Sequence, residues 1–271
     1  MSLYTDVVRG TRAVLTVLAV ATFGLAASPA KPKGYAPKWR VGDWWVTKTQ
    51  VPSVTGHGWR WQLNRYDVLS SERVAGCGCL VLQVKFGDTT PTRDGARYIY
   101  YVRADDYVVI RQVEYSWQAG SLVGPTTFDF PEGVFGDLVF GQQLPQFPLG
   151  IAAPRDSTFY RRGSGLGMAN VRQFAGAADS ASLAGYLGDP EPRAGAPVKP
   201  RGSKLFSVLS EWGAPRESGG PDMPYTYSLQ LWCGAYPWRL YSEWGKYWPR
   251  GSSTRRASRR SWLIASGHKE K

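Results

Sequence analysis

Ser-Glu-Trp-Gly occurs twice, at 210–213 and 242–245, and sets Glu211 beside Trp212 and Glu243 beside Trp244. Hydrolysis of a glycoside uses two carboxyl groups flanking the sugar, with aromatic platforms nearby, and these residue types fit that chemistry. The plainer reading is that two antiparallel strands end alike, each Glu facing solvent or pairing with a base such as Arg239. Residue type leaves the separation of the carboxylates open, and no catalytic residue is assigned from it.

Other reactive residues are sparse. Histidine occurs only at His57 and His268, so a His-based triad or a multi-His zinc site would rest on His57. In Thr55-Gly56-His57-Gly58 that residue reads as part of a turn. Arg-Gly-Ser-Gly-Leu-Gly at 162–167 is glycine-rich but lacks the Lys-Ser/Thr ending of a phosphate loop. No metal and no cofactor is expected. Cys77-Gly78-Cys79 and the distant Cys233 lack the paired spacing of a zinc ribbon and read as disulfide candidates. A bridge from Cys77 or Cys79 to Cys233 would close a loop of more than a hundred residues and contribute about 4–5 kcal/mol in the chain-entropy account. Alternation turns Cys79 away from the Leu80 face and leaves Cys233 on the side of Tyr225 and Leu231, so the bridge needs both at strand ends.

Charge is the strongest electrostatic signal. The chain carries a formal net charge of +12, and residues 246–271 hold an excess of about seven positive charges, with Arg250, Arg255, Arg256, Arg259 and Arg260 at their centre. Trp248 and Trp262 flank that segment, an arrangement that suits a membrane surface or stacked bases; the bland alternative is a solvated basic loop.

The elements that must position these groups are strands. The chain has 271 residues, 43% of them hydrophobic, with 12 Trp, 15 Tyr and 10 Phe, a composition that suits pleated, half-buried surfaces. Alternation marks an opening strand within 38–51, then strands at 59–70, 79–86, 96–103, 107–118, 125–130, 158–162, 204–212, 225–233, 238–245 and 261–265. Residues 131–150, rich in Pro, Gly and Phe, read as a segment covering a sheet face, and 188–203 as a long Pro-rich loop. Residues 168–187 are the single candidate helix, and 267–271 a disordered tail. The fold class expected is mainly β: an antiparallel meander forming a curved sheet or partly closed barrel, one domain over 38–266.

Ahead of it, Arg9 and Arg12 precede an apolar stretch at 13–25 and small residues up to Ala30. That is the pattern of a cleaved secretory signal over residues 1–30, followed by a basic, Pro-rich leader at 31–37. Its removal leaves a charge of about +11, so export does not explain the basicity. An exported location argues against nucleic acid and for anionic envelope polymers or lipid headgroups.

Val-Gly-Asp-Trp-Trp at 41–45 and PWRLYSEWG at 237–245 frame this layout. In the order of its elements from Trp39 to Ala265, the chain resembles uncharacterised exported β-proteins of bacterial envelopes. More distantly it is similar to the half-barrel lipoprotein-carrier class. That resemblance implies acyl chains held against the concave apolar face of a strongly curved sheet. No functional residue of the class is matched to a position here.

The aromatic residues expected to face a ligand are Trp45, Trp59, Trp61, Tyr115, Trp117 and Trp244. The function expected is non-enzymatic binding of a lipid-like or anionic envelope component at a membrane or polymer surface. The alternatives are carbohydrate binding or hydrolysis through Glu211 and Glu243, and a structural envelope protein without a small ligand. Oligomeric state is not set by the sequence.

Overall fold

Two-residue alternation dictates strands, and twelve form: β1 (Asp43–Pro52), β2 (Trp59–Val74), β3 (Cys77–Gly87), β4 (Arg97–Arg103), β5 (Val108–Gln118), β6 (Ser121–Phe135), β7 (Ser157–Gly163), β8 (Gly167–Ala177), β9 (Leu205–Gly213), β10 (Pro224–Cys233), β11 (Tyr241–Tyr247) and β12 (Arg255–His268). The computed structural model describes residues 34–53, 58–87, 97–118, 121–135, 157–163, 167–189, 195–202, 204–213, 224–247 and 254–270. The expected signal region, most of the 131–150 segment and His57 fall outside them.

All ladders are antiparallel, in the order β6-β5-β4-β3-β2-β1-β12-β11-β10-β9-β8-β7. The first and last strands therefore pair in the middle of the sheet. Its edges are β6 and β7, which come within contact distance of each other, but no described ladder joins them, and the sheet is not closed. This is the mainly β, antiparallel class that the alternation implies.

The two sheet faces are packed differently. One, the aromatic face, carries Trp45, Tyr66, Val84, Leu82 and Tyr100, all fully buried, with Phe206 and Trp232 across β9 and β10. Trp45 stacks on Tyr66 with ring centroids 5.4 Å apart and on Trp238 at 5.1 Å, and Trp39 closes the group at 5.2 Å from Trp45. Trp39 Nε1 donates to the Pro237 carbonyl at 2.7 Å, and the Tyr107 hydroxyl donates to that of Pro37. Tyr35 packs edge-on against Phe206 at 4.7 Å. From Gly34 on, the expected leader is thus part of the core.

The opposite face is covered over β10 to β12 and β1 by the single described helix, α1 (Ser180–Leu187). Asp179 caps it, its carboxylate accepting from the Ser182 N–H at 2.6 Å, and the Gly188 N–H closes it on the Ala184 carbonyl at 2.8 Å. A Cβ on Gly185 would sit 2.5 Å from the Tyr241 ring, so only glycine lets the helix lie this close. Under α1, Lys48 is fully buried between Trp61 and Trp262, its Nζ 5.6 and 5.9 Å from their ring centres. Its charge is met by Asp189 Oδ2 at 2.5 Å, one residue past the helix cap.

Several sequence expectations change. Residues 168–187 are strand for their first half, because Val171, Gln173 and Ala175 pair with β9, and only 180–187 coil into a helix. Basic residues 255–260 extend β12 rather than forming a loop, since β11 supplies a full ladder opposite them. The tail is tied down: Gly267 and His268 pair with β1, the Lys269 N–H donates to Gly42 at 2.9 Å, and His268 Nδ1 lies 2.8 Å from Asp43 Oδ1. Of the covering segment, the described part, 131–135, belongs to β6.

Removing one partner of a buried ion pair strands the other charge. Lys48→Met is expected to lower folding stability by about 3 kcal/mol in urea titration, and the double variant Lys48→Met/Asp189→Leu to recover most of that loss. Equal losses in the single and double variants would show that the pair does not hold α1.

Candidate functional site

Directly opposed residues in antiparallel strands share a face, so the register fixes what lines the aromatic face beyond its rings. Gln173, Ser210 and Ser228 lie side by side across β8 to β10, and Ser228 is opposite Trp244, which is opposite Arg259. The next row runs Val208, Gln230, Ser242, Ser261, Thr49 and Gln62 from β9 to β2. All the hydroxyl groups in these rows are buried. Thr49 and Ser261 exchange a hydrogen bond at 3.0 Å, Asn64 Nδ2 donates to Thr49 at 3.0 Å, and Gln230 links Ser228 and Trp232. Short hydroxyl side chains stand where a hydrocarbon core would place Leu or Ile, which gives the face a polar lining.

Two cations meet at the boundary between this polar band and the aromatic rings. Arg239, 1% exposed, lays its guanidinium over the Trp238 ring at 4.8 Å. Arg259, half-buried, reaches the same place from β12, and the charges of both bear on the Tyr66 hydroxyl. Burial lifts that hydroxyl to about 12, against the pull of Arg239 and Arg259. Burial likewise pushes Arg239 down to about 9, with Tyr66 opposing, and lowers Arg259. A guanidinium seldom gives up its proton, so the depression expresses the desolvation of the charge at this site, on the order of 5 kcal/mol. An anion beside it would remove that penalty. Close by, Trp45 Nε1, Trp238 Nε1 and Asn64 Oδ1 are buried with no hydrogen-bond partner among the described residues.

From Tyr66 an apolar path leads to the sheet edge. Tyr66 is opposite Val84, which is opposite Tyr98; one row along, Leu82 is opposite Tyr100, then Gln112 and Phe128 follow. Tyr98 and Tyr100 stack at 5.9 Å with planes 6° apart. Phe128, on edge strand β6, is 43% exposed. The face therefore joins a cationic, hydroxyl-lined interior to an accessible aromatic rim.

Of the six aromatics expected at a ligand, Trp45 and Trp244 are on this face, Trp45 as core and Trp244 half-buried opposite Arg259. Trp59, Trp61 and Tyr115 face the other way, with Trp61 packed against Trp262 at 5.8 Å; Trp117 lies in β5, its side chain outside those described. The six therefore do not line one surface. Nor do the five arginines: Arg255 and Arg260 lie on the helix side, Arg259 on the aromatic side, Arg256 is exposed, and Arg250 falls outside the described residues. Sequence reasoning missed Tyr66, Arg239, Ser228 and Ser261. The available signal was a run of Ser, Thr and Gln alternating with large apolar residues in strands buried on both faces.

Glu211 and Glu243 stand on the helix face. Glu243 Oε1 accepts from the Tyr227 hydroxyl at 2.6 Å, and Oε2 from the Tyr241 hydroxyl and Arg260 Nε, both at 2.9 Å. Glu211 accepts from the Tyr247 hydroxyl. A cleft of about 430 Å³ between α1 and the sheet reaches Glu243, Arg255 and Arg260. Glu243 is held there as the acceptor of three hydrogen bonds. Tyr227 stands between the two carboxylates in the ladder, opposite Glu211 in β9 and Gly245 in β11.

The disulfide expectation is corrected as well. Cys77, Cys79 and Cys233 are free thiols. Cys79 packs with Val108 and Ile110 near the β2–β3 turn, Cys233 is buried at the end of β10, and five strand spacings of the sheet order separate β3 from β10. Among the described residues no group of three or more His, Cys, Asp or Glu is placed to hold a metal, and no helix is long and apolar enough to cross a membrane. Comparison with protein-family models, curated proteins and solved structures returns no match.

Tyrosines at these sites keep their protons longer folded than unfolded. Burial is the leading cause at Tyr66 and Tyr247, both raised from 10.0 to about 12, and it also raises Tyr100, Tyr227 and Tyr241. Between pH 10 and 12 the unfolded chain has lost protons that the folded chain retains, so stability falls as pH rises through that window. Phenolate absorbance is expected to rise in two stages, the second coinciding with loss of the β circular-dichroism signal. A single smooth titration with an intact β signal would contradict this burial.

Proposed function

We propose that the protein is an exported, non-enzymatic carrier of an amphipathic anion. The ligand's charged head sits among Arg239, Arg259 and Tyr66, and its apolar tail runs past Tyr98 and Tyr100 toward Phe128. The observation that carries this reading is the convergence of two guanidinium groups on one tyrosine hydroxyl inside a buried, hydroxyl-lined face. Such a site favours a carboxylate or phosphate, because each charge-assisted bond formed away from water contributes about 1.5–3 kcal/mol. The Arg9–Arg12 region with its apolar stretch supports export, and the unjoined β6 and β7 edges give the tail a way in.

The probe is a fluorescent long-chain fatty acid, compared with its methyl ester. Arg239→Met is expected to weaken binding of the acid at least about tenfold while leaving the ester within about twofold. Its melting temperature should not fall, because the substitution removes a charge that the folded state disfavours. Equal weakening of acid and ester, or no binding of either by the wild-type chain, would overturn the proposal.

A further inference from the structure

The hairpin joining β2 to β3 brings two thiols together outside the proposed ligand site. Val74 pairs with Cys77, and the two-residue turn between them, Ala75 and Gly76, has both φ angles positive, at 49° and 79°. Cys77 and Cys79 are two residues apart on one strand, hence on one face. They belong to one small cluster with Val74, Tyr101, Val108 and Ile110. Cys77 is half-buried at the rim of this cluster, and Cys79 is fully buried beneath it. The directly opposed residue in β4 is Arg103, held by Asp106 through bonds of 2.8 and 2.5 Å. Its guanidinium also interacts with the Cys77 sulfur.

These positions have distinct chemical roles. Cys77 is the partly accessible sulfur of the two, so it is the one that an incoming disulfide reaches first. A second sulfur on the same face needs no access to solvent to react with the first. The span between residues i and i+2 of a strand, roughly 6.6 Å between Cα atoms, lies at the upper end of what a disulfide bridges. Gly78, between them, has open space around its Cα and carries no side chain to resist the bend. A bond formed there is strained, and strained disulfides are the easily reduced, exchanging kind.

We infer that Cys77 and Cys79 form a thiol–disulfide exchange pair, with Cys77 as the attacking thiol and Cys79 as the resolving one. The Cys77 thiolate attacks one sulfur of a small disulfide, breaking its S–S bond and expelling one thiolate. Cys79 then gives its proton to solvent and attacks Cys77 Sγ, breaking the mixed disulfide and expelling the second thiolate. The protein gives up two electrons and two protons, and the small disulfide is reduced to two thiols. Cys233, fully buried at the end of β10, takes no part and serves as an internal control.

The experiment uses the folded chain with oxidised glutathione as the probe and peptide mapping by mass spectrometry as the readout. Wild type is expected to yield a Cys77–Cys79 disulfide without a lasting adduct. Cys79→Ser should instead accumulate one glutathionyl group on Cys77. Iodoacetamide should label the partly accessible Cys77 at least about tenfold faster than the buried Cys233, with circular dichroism verifying that each variant is folded. A lasting adduct on wild-type Cys77, no adduct in Cys79→Ser, or equal labelling of Cys77 and Cys233 would overturn the inference. Loss of fatty-acid binding would leave it untouched.

Discussion

Pairing of β1 with β12 is the constraint on which the remaining arrangement depends. It places the first and last strands side by side, so each half of the chain adds strands outward from a shared centre. The ladder contains one irregularity. Val46 is opposite Ala265, but Thr47 is opposite Leu263, so Ile264 is the extra residue of a bulge. A one-residue shift exchanges the two faces of everything beyond it. With the bulge, Trp262 and Arg260 point toward α1, and Ser261 and Arg259 point toward Tyr66. Without it, Arg260 would enter the aromatic face and Trp262 would have no place under the helix. Which β12 arginine faces Tyr66, and that Trp262 lies under the helix, are therefore set by one inserted residue in a central strand.

The two faces handle buried charge differently. On the helix face Lys48 is met by Asp189, and Glu243 by Arg260 and two tyrosine hydroxyls, so opposite charges are matched within the fold. On the aromatic face Arg239 rests on Trp238 and bears on Tyr66. A cation–π contact of this kind offsets only part of the desolvation of a guanidinium. Two arginines, Arg239 and Arg259, bear on one tyrosine hydroxyl there, and that clustering of positive charge is what a negatively charged visitor would meet.

Much of the fold was legible because both kinds of strand obey a period of two. Leu80, Leu82 and Val84 against Val81, Gln83 and Lys85 gave β3 and its inner face directly, and Tyr227, Leu229 and Leu231 gave β10, although these three lie on its helix-covered side. The elements misread were those decided by a partner distant in sequence. Val171, Gln173 and Ala175 have helical composition but meet β9, and tertiary pairing overrides propensity. Residues 255–260 look like a solvated basic loop until β11 is beside them. The candidate site was less legible still. Arg239 was read as a surface partner for a glutamate, because nothing local says that the turn after Cys233 folds it beneath Trp238. Glu211 and Glu243 were seen as a pair on residue type, but only the register reveals Tyr227 between them.

Binding and folding make opposed demands on the same surface. An inner face filled wholly with Leu, Ile and Phe would be more stable and would leave no volume for a guest; the Ser, Thr and Gln rows of β9 to β12 and β1 give up that packing. The stability is recovered on the other side of the sheet, where α1, Tyr241, Trp262 and the Lys48–Asp189 pair form a dense layer over the very strands whose inner faces are polar. β2 to β5 show the reverse, with their large apolar side chains inward and their other face largely without helical cover. An adaptable interior therefore lies against a locked exterior in one half of the sheet, and a rigid aromatic wall leads to an open edge in the other. That division lets one antiparallel sheet present a polar, arginine-bearing face in one half and an apolar rim in the other without closing into a barrel.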